Sequence, residues 1–466
     1  MSDFVQFVMN YLIRALIIAV PVGLVTGAAL LAAAAWWKKK RPGVKFPWLK
    51  AVVAILLAAF LAVLLFVTIF RTDSRSWRYA NVHLFRAWRE AWNAFSEKHW
   101  MNVLLNVAMF APLGFLLPLL TDKIQKWYRM LAVGFCTSLA IEVLQYLLCR
   151  GLFDVDDLLC NTLGAMTGYW VVMAALPLFK RSWKRSLPHL AALLAVGCSI
   201  GGIFLAYEMQ EFGNFPDASP FRVDTSGVLW SYDCSFPEAE DSLPVYRLSQ
   251  PSKQECEAIG RAFLEKVGVT DVDVTYYNDE VYLRERQGSR ILEVFYVDGC
   301  LSYFDWNDYD FMDPSYDEAD EEALRQALAD LGITVPADAA LTREEDGGYL
   351  FTADRIAQDG GLVDGTLYCT WQDGYGIREL ENRLLTLDFY GDFPVRSSEQ
   401  ALEQVLDGWL RAGDYFERNR PDTLQITSCE LIYRVDTKGF YRPVYIMEIT
   451  SPDGRFSDTV LIPASS

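Results

Sequence analysis

Several side chains that could do chemistry sit in stretches that are otherwise apolar. In SLAIEVLQYLLCR, Ser138, Glu142, Gln145 and Cys149 are spaced by four, three and four residues, which puts all four on one helix face. In DVDDLLCNTLGAMTG, Asp154, Asp157, Asn161, Gly164 and Gly168 keep the same rhythm. In MNVLLNVAMFAPLG, Asn102 and Asn106 stand one turn apart. An ionisable group inside a bilayer costs roughly 2.5–3.5 kcal/mol on insertion scales, so several together point to a task rather than to packing. Carboxylates in such a place can act as general base, hold a divalent cation, or accept hydrogen bonds from a bound headgroup. Glu142, Asp154 and Asp157 are therefore the candidate catalytic groups. Asn106, Gln145, Arg150 and Asn161 are the candidate substrate-binding groups. The sequence assigns no metal site and no cofactor.

These residues need spanning helices to position them. Apolar runs of about 18 residues or more can cross the hydrocarbon core, and six occur, near 5–35, 49–70, 101–120, 128–149, 158–179 and 187–207. The first contains Pro21 and Arg14 and lacks a small-residue cleavage site, so it reads as a span rather than a removable leader. The Gly164/Gly168 pair is of the small-xxx-small kind that lets a neighbouring helix approach closely.

Lys and Arg in short loops set the orientation. The loop WWKKKRPGVKFPWLK, the loop with Lys123, Lys126 and Arg129, and the loop with Lys180, Arg181, Lys184 and Arg185 alternate along the chain and are expected in the cytoplasm. The acidic GLFDVDD turn and everything after residue 207 are then expected outside. One loop objects: residues 71–100 carry Arg71, Arg75, Arg78, Arg86, Arg89 and Lys98, although the alternation places them outside. Within that loop Val82, Phe85, Trp88, Trp92 and Phe95 form an apolar face, with Arg86, Arg89, Glu90, Asn93 and Glu97 opposite. Such a helix can lie flat in the membrane–water interface or pack on the end of the bundle.

The run NVLLNVAMFAPLGFLLPLL followed by SLAIEVLQYLLCRGLFDVDDLLCNTLGAMTG resembles the VanZ-like membrane family over about residues 60–175. The resemblance rests on Asn106, Phe110, Pro112, Gly114 and Phe115, then Glu142, Gln145, Arg150, Asp154, Asp157, Asn161, Thr162 and Gly164. It implies a bacterial envelope protein of the cell membrane, and the namesake is associated with low-level resistance to the glycopeptide teicoplanin. The extra first helix and the long carboxy-terminal part depart from that pattern.

The chain has 466 residues and a formal net charge of -18, divided unevenly. Residues 1–207 hold 21 Lys+Arg and 9 Asp+Glu, whereas 208–466 hold 21 and 51. A swing of that size marks two regions in different surroundings and argues against nucleic acid as a partner. Residues 208–251 read as a connector. Over 252–466, helix signals alternate with short alternating strands: a capping box at Ser252/Glu255, the runs DVDVTYY, EVYLRER, RILEVFYV and CLSYFDW, a second helix over 317–331, strands near 349–356, 363–371 and 383–390, a third helix after Ser397, and three closing strands. The unit of helix then antiparallel strands recurs about three times. Its layout resembles the small PepSY-like and YycH/YycI-like extracytoplasmic modules. The acidic run DWNDYDFMDPSYDEADEE lacks calcium-loop spacing and reads as a solvated helix start.

The sequence thus predicts a six-span α-helical transmembrane bundle with an extracytoplasmic α+β domain. Its segments are an extra helix and basic loop (1–48), a VanZ-like domain (49–207), a connector (208–251) and the acidic domain (252–466). Three functions follow: binding of a membrane lipid or cell-wall precursor, in glycopeptide resistance or envelope maintenance; an intramembrane enzyme acting on a lipid-linked substrate; or a sensor whose outer domain meets an envelope protein partner.

Overall fold

The structure is a computed structural model and describes residues 2–40, 45–70, 78, 80–179, 182–219, 221–238, 241–277, 279–307, 316–358 and 360–465. Arg71 and Arg75 of the objecting loop, Lys180 and Arg181, the turn residue Asn278 and the middle of the acidic run, 308–315, lie outside these. The chain divides into two compact units, Met1–Glu211 and Phe212–Ser466.

The first unit is helical. Helix α1 spans Ser2–Lys40 and α2 Trp48–Leu65, which continues through a π turn, Phe66–Phe70. A short strand β1 (Ala80–Asn81) leads to α3 (Arg86–Ala94) and α4 (Glu97–Leu120). Next come α5 (Trp127–Leu148), the short strand β2 (Phe153–Asp154), α6 (Val155–Phe179) and α7 (Leu187–Met209). Among the described residues six helices are long and apolar enough to cross a membrane, the six expected. Helices α4 and α6 start earlier than the hydropathy suggested, each for a local reason. Ser96 caps α4 through the His99 N–H, so that helix begins at Glu97 rather than near 101. Helix α6 begins among its acids because the Asp154 side chain accepts the Asp156 N–H at 2.8 Å.

Glycine sets the centre of the bundle. A Cβ on Gly164 would sit 1.9 Å from the Val107 carbonyl oxygen, one on Gly168 1.9 Å from that of Ala111, and one on Gly114 1.7 Å from that of Ala165. Helices α4 and α6 therefore run parallel with their backbones in contact, as the Gly-x-x-x-Gly spacing implied. Around this seam pack Phe110, Leu113, Met130, Ile141, Met166 and Tyr169 with Leu64 of α2. At the end where α4 and α6 finish, the Tyr169 hydroxyl donates to the Gln125 carbonyl at 2.7 Å. Exposed Trp48, Trp127, Tyr128 and Trp183 lie by the basic residues of that end, the aromatic and cationic belt of a membrane surface.

The second unit holds β3 (Leu229–Tyr232), β4 (Ser242–Leu248), α8 (Lys253–Lys266), β5 (Val272–Tyr276), β6 (Glu280–Glu285), β7 (Arg290–Phe295) and β8 (Leu301–Asp305). It continues with α9 (Glu321–Asp330), β9 (Ala340–Arg343), β10 (Tyr349–Gln358), β11 (Gly361–Gln372), β12 (Gly376–Asn382) and β13 (Leu385–Pro394). It closes with α10 (Ser398–Leu406), α11 (Gly413–Asn419), β14 (Thr423–Val435), β15 (Phe440–Thr450) and β16 (Ser457–Pro463). The main path of its 14-stranded sheet runs β3-β14-β15-β4-β13-β11-β12-β8-β7-β6-β5. Capping boxes at Ser252/Glu255 and Ser397/Gln400 start α8 and α10, and Asp320 caps α9. Helices α8 and α9 and the pair α10–α11 are each followed by antiparallel strands, the recurring unit expected.

Residues 208–251 do more than connect. They supply β3 and β4, and Phe212, Phe215, Phe221 and Val223 are buried in the second unit. Polar turns and prolines conceal these two strands in the sequence. A buried ion pair, Arg442 Nε to Asp436 Oδ2 at 3.0 Å, holds this entry segment: Asp436 accepts the Gly213 N–H, and Arg442 donates to the Gly213 carbonyl.

Candidate functional site

The acids singled out by their spacing come together at one end of the bundle, where α5 finishes and α4 and α6 begin. The turn between α5 and α6 places them. Helix α5 stops at Cys149, whose backbone is left-handed (φ 53°), and the Arg150 N–H closes on the Gln145 carbonyl at 2.9 Å. Gly151 follows at φ 134°, a conformation that L side chains rarely adopt, with a would-be Cβ 3.0 Å from the Gln145 amide nitrogen. The chain then pairs in parallel with β1, Ala80 opposite Phe153 and Asn81 opposite Asp154.

Glu142 is only 2% exposed, and its Oε2 accepts the Asp154 N–H at 3.0 Å. Asp154 Oδ1 accepts the Asn81 amide at 3.1 Å and the Asp156 N–H. Asp157 Oδ1 accepts the Asn106 amide of α4. Glu142 lies within electrostatic range of both Asp157 and Asp154. Each of the three acids thus commits one oxygen to the protein. Among the described residues no donor reaches the other oxygen, Glu142 Oε1, Asp154 Oδ2 or Asp157 Oδ2.

The amides divide. Asn106 joins the acids directly. Asn161, 3% exposed, donates to Ser138 Oγ at 3.0 Å one turn deeper, and its own carbonyl oxygen is buried without a partner. Gln145 turns away from the acids to donate to the Thr68 carbonyl at 2.9 Å, an acceptor within the π turn of α2. Arg150 makes no described side-chain hydrogen bond or ion pair, so its guanidinium is not brought onto the carboxylates. Burial holds the Asp154 carboxyl above its ordinary value; the Asn81 amide and Arg86 pull it the other way.

Two residues escaped the sequence reading. Asn81 is buried and touches Asp154, yet it lies in a two-residue strand with no periodic signal. Asp156 is 0% exposed and accepts the Phe85 N–H at 2.5 Å and the Ala87 N–H at 2.7 Å, which caps α3. It falls off the stripe that marked Asp154 and Asp157. Helix α3 packs on the bundle rather than lying free: Trp88, Trp92 and Phe95 meet Trp100, Val103, Cys160, Ile203 and Phe204. Chain-end geometry completes this end, with Phe95 stacked on Tyr207 of α7 at 3.3 Å between ring centroids.

Among the described residues no three His, Cys, Asp or Glu side chains group as metal ligands. An open cleft of about 640 Å³ in the second unit, lined by Arg222, Thr225, Trp230 and Asp407, gathers none of the residues singled out by the sequence.

Residues 51–180 match the family model described as VanZ/LLP1. The residues of the sequence resemblance divide into two roles within that span. Asn106, Glu142, Asp154 and Asp157 form the acid site, while Phe110, Gly114 and Gly164 make the α4–α6 seam. A solved structure, the Bacillus megaterium YpeB C-terminal domain, is similar to 47% of this chain over 94% of its own length, at 12% identity and a TM-score of 0.21. So slight a likeness assigns nothing to the second unit. No curated protein matches the chain. The segment that gathers the acids thus lies within a match to the VanZ/LLP1 family, in a multi-pass membrane protein with six apolar helices among the described residues.

Proposed function

We propose that this protein serves the bacterial envelope, in glycopeptide resistance or envelope maintenance, by binding the polar headgroup of a lipid or lipid-linked cell-wall precursor at the acid end of the bundle. The observation that carries the reading is the set of second oxygens on Glu142, Asp154 and Asp157, for which no donor is present among the described residues. Three carboxylates in a partly dry site favour a ligand that supplies N–H or O–H donors, such as an amine, sugar hydroxyls or peptide amides. Loop charge supports an acid end that faces the exterior, because Lys123, Lys126, Arg129, Lys184 and Arg185 belong to the opposite end. The chain also leaves α7 at the acid end, consistent with an extracytoplasmic second unit.

A second reading uses the same oxygens. Glu142 Oε1 or Asp157 Oδ2 could take the proton of a nucleophile and make the site an enzyme on a lipid-linked substrate.

Native mass spectrometry of the full chain with a lipid-linked precursor tests the binding reading. The account expects adducts on the native protein and their loss in Glu142→Gln and Asp157→Asn, with melting in detergent changed little. Adducts that persist in both variants contradict it. Loss of melting in step with loss of adduct means the acids serve only to hold the bundle.

A further inference from the structure

The apolar face expected over residues 82–95 is divided. Trp88, Trp92 and Phe95 turn onto the bundle, whereas Val82, Leu84 and Phe85 stay outside at 64%, 50% and 50% exposure. These three crowd into four residues of one loop. The loop is fixed, not loose. Ala80 and Asn81 pair with Phe153 and Asp154, the His83 N–H donates to Asn81 Oδ1 at 3.1 Å, and Asp156 takes the Phe85 and Ala87 N–H groups. Phe85 is held left-handed at φ 67°, a conformation a bulky residue keeps only when its surroundings impose it. The strand pairing and the two Asp156 bonds end on residues 153–156, where the spanning helix α6 begins, so the loop stands at the depth of the membrane–water boundary.

A rigid apolar tip at that depth continues the lipid-facing surface of the bundle, on which Leu147, Leu148 and Leu205 are also exposed. Arg86 and Arg89 follow the tip directly, which suits anionic headgroups. We propose that Val82, Leu84 and Phe85 insert into the leaflet at the acid end and lock the acid site at headgroup depth. The ligand then reaches Glu142, Asp154 and Asp157 from within the leaflet, as a membrane-borne headgroup and not as a water-soluble molecule. This last step rests on the binding reading above; the insertion does not.

Nitroxide labels on Val82→Cys and Leu84→Cys test it, in full-length protein whose native cysteines are replaced, held in nanodiscs of phosphatidylglycerol and phosphatidylethanolamine. Oxygen concentrates in the acyl region and a nickel chelate in water, so their relative collision rates read depth. Leu205→Cys in α7 supplies the lipid reference, and Asp354→Cys, whose side chain is 84% exposed in the second unit, the water reference. The expected result is an oxygen preference at 82 and 84 like that at 205. A nickel preference like that at 354 overturns the insertion, and so does low access to both reagents, which would mean that protein covers the loop. The same labels in Glu142→Gln protein keep their oxygen preference if insertion belongs to the fold. Its disappearance there would show a loop held in lipid only through the ligand, and would likewise overturn the proposal.

Discussion

Asp156 is the point at which one side chain supports both the acid turn and the loop above it. Its two oxygens accept the backbone N–H groups of Phe85 and Ala87 at 2.5 and 2.7 Å, and the residue is wholly buried. Removing the carboxylate in Asp156→Ala leaves both donors in a place that water reaches poorly. A buried unsatisfied donor costs about 1–3 kcal/mol, and loss of a helix N-cap typically costs about 1 kcal/mol. The two estimates overlap, so about 3 kcal/mol is a fair central value for the segment from Ala80 to Ala94. Since each 1.4 kcal/mol is roughly a factor of ten, local opening should become about 100-fold more frequent. Asp156→Asn keeps one acceptor and should show about a tenfold effect. Hydrogen exchange read by mass spectrometry in nanodiscs measures this directly. Peptides covering 82–94 should exchange faster, while those covering the α4–α6 seam stay protected. Unchanged exchange over 82–94 in Asp156→Ala would refute the idea that this carboxylate holds the loop.

Three further outcomes follow from the packing and the buried charges. Gly168→Ala drives a Cβ to 1.9 Å from the Ala111 carbonyl oxygen, whereas Gly197→Ala meets nothing within 4 Å. The first should lower the detergent melting temperature by the equivalent of at least ~1–3 kcal/mol, and the second should not lower it. Arg442→Ala strands the fully buried Asp436 and should destabilise the second unit by about 3–5 kcal/mol in urea unfolding, with much of the loss recovered in an Arg442→Met, Asp436→Leu pair. Burial pushes the Asp458 carboxyl above its ordinary value, against the pull of the Ala412 N–H. A carboxyl raised in the folded state binds its proton more readily there. Its contribution to stability is therefore full below the ordinary carboxylate value and is lost as pH rises through the raised one. Asp458→Asn should gain stability relative to the native chain between about pH 4 and pH 7, as read by urea midpoints at both; a constant difference would contradict this.

The membrane half was legible because its signals are local and periodic. Hydropathy locates the six spans, and the alternating steps of three and four single out Glu142, Asp154 and Asp157. What stayed hidden depends on contacts distant in the chain. Asn81 acquires its role only through pairing with Asp154, and Asp156 only through the N–H groups of Phe85 and Ala87. Gln145 sits on the acidic stripe yet is drawn off by a carbonyl of the π turn at Thr68, an irregularity that propensity does not announce. In the second half, capping boxes and turn pairs marked helices and hairpins well. Strand β12 went unmarked, and β3 and β4 read as connector, because β3 pairs with β14 nearly two hundred residues downstream.

Photo-crosslinking tests the central claim most directly. A lipid-linked precursor with a diazirine on its headgroup, irradiated with the full chain in nanodiscs, should label peptides containing Asn106, Glu142 and Asp154. Excess unlabelled precursor should compete that labelling away, and Glu142→Gln with Asp157→Asn should abolish it. Labelling spread over the lipid-facing sides of α1, α2 and α7, and equal in the double variant, would contradict a headgroup site at the acid end.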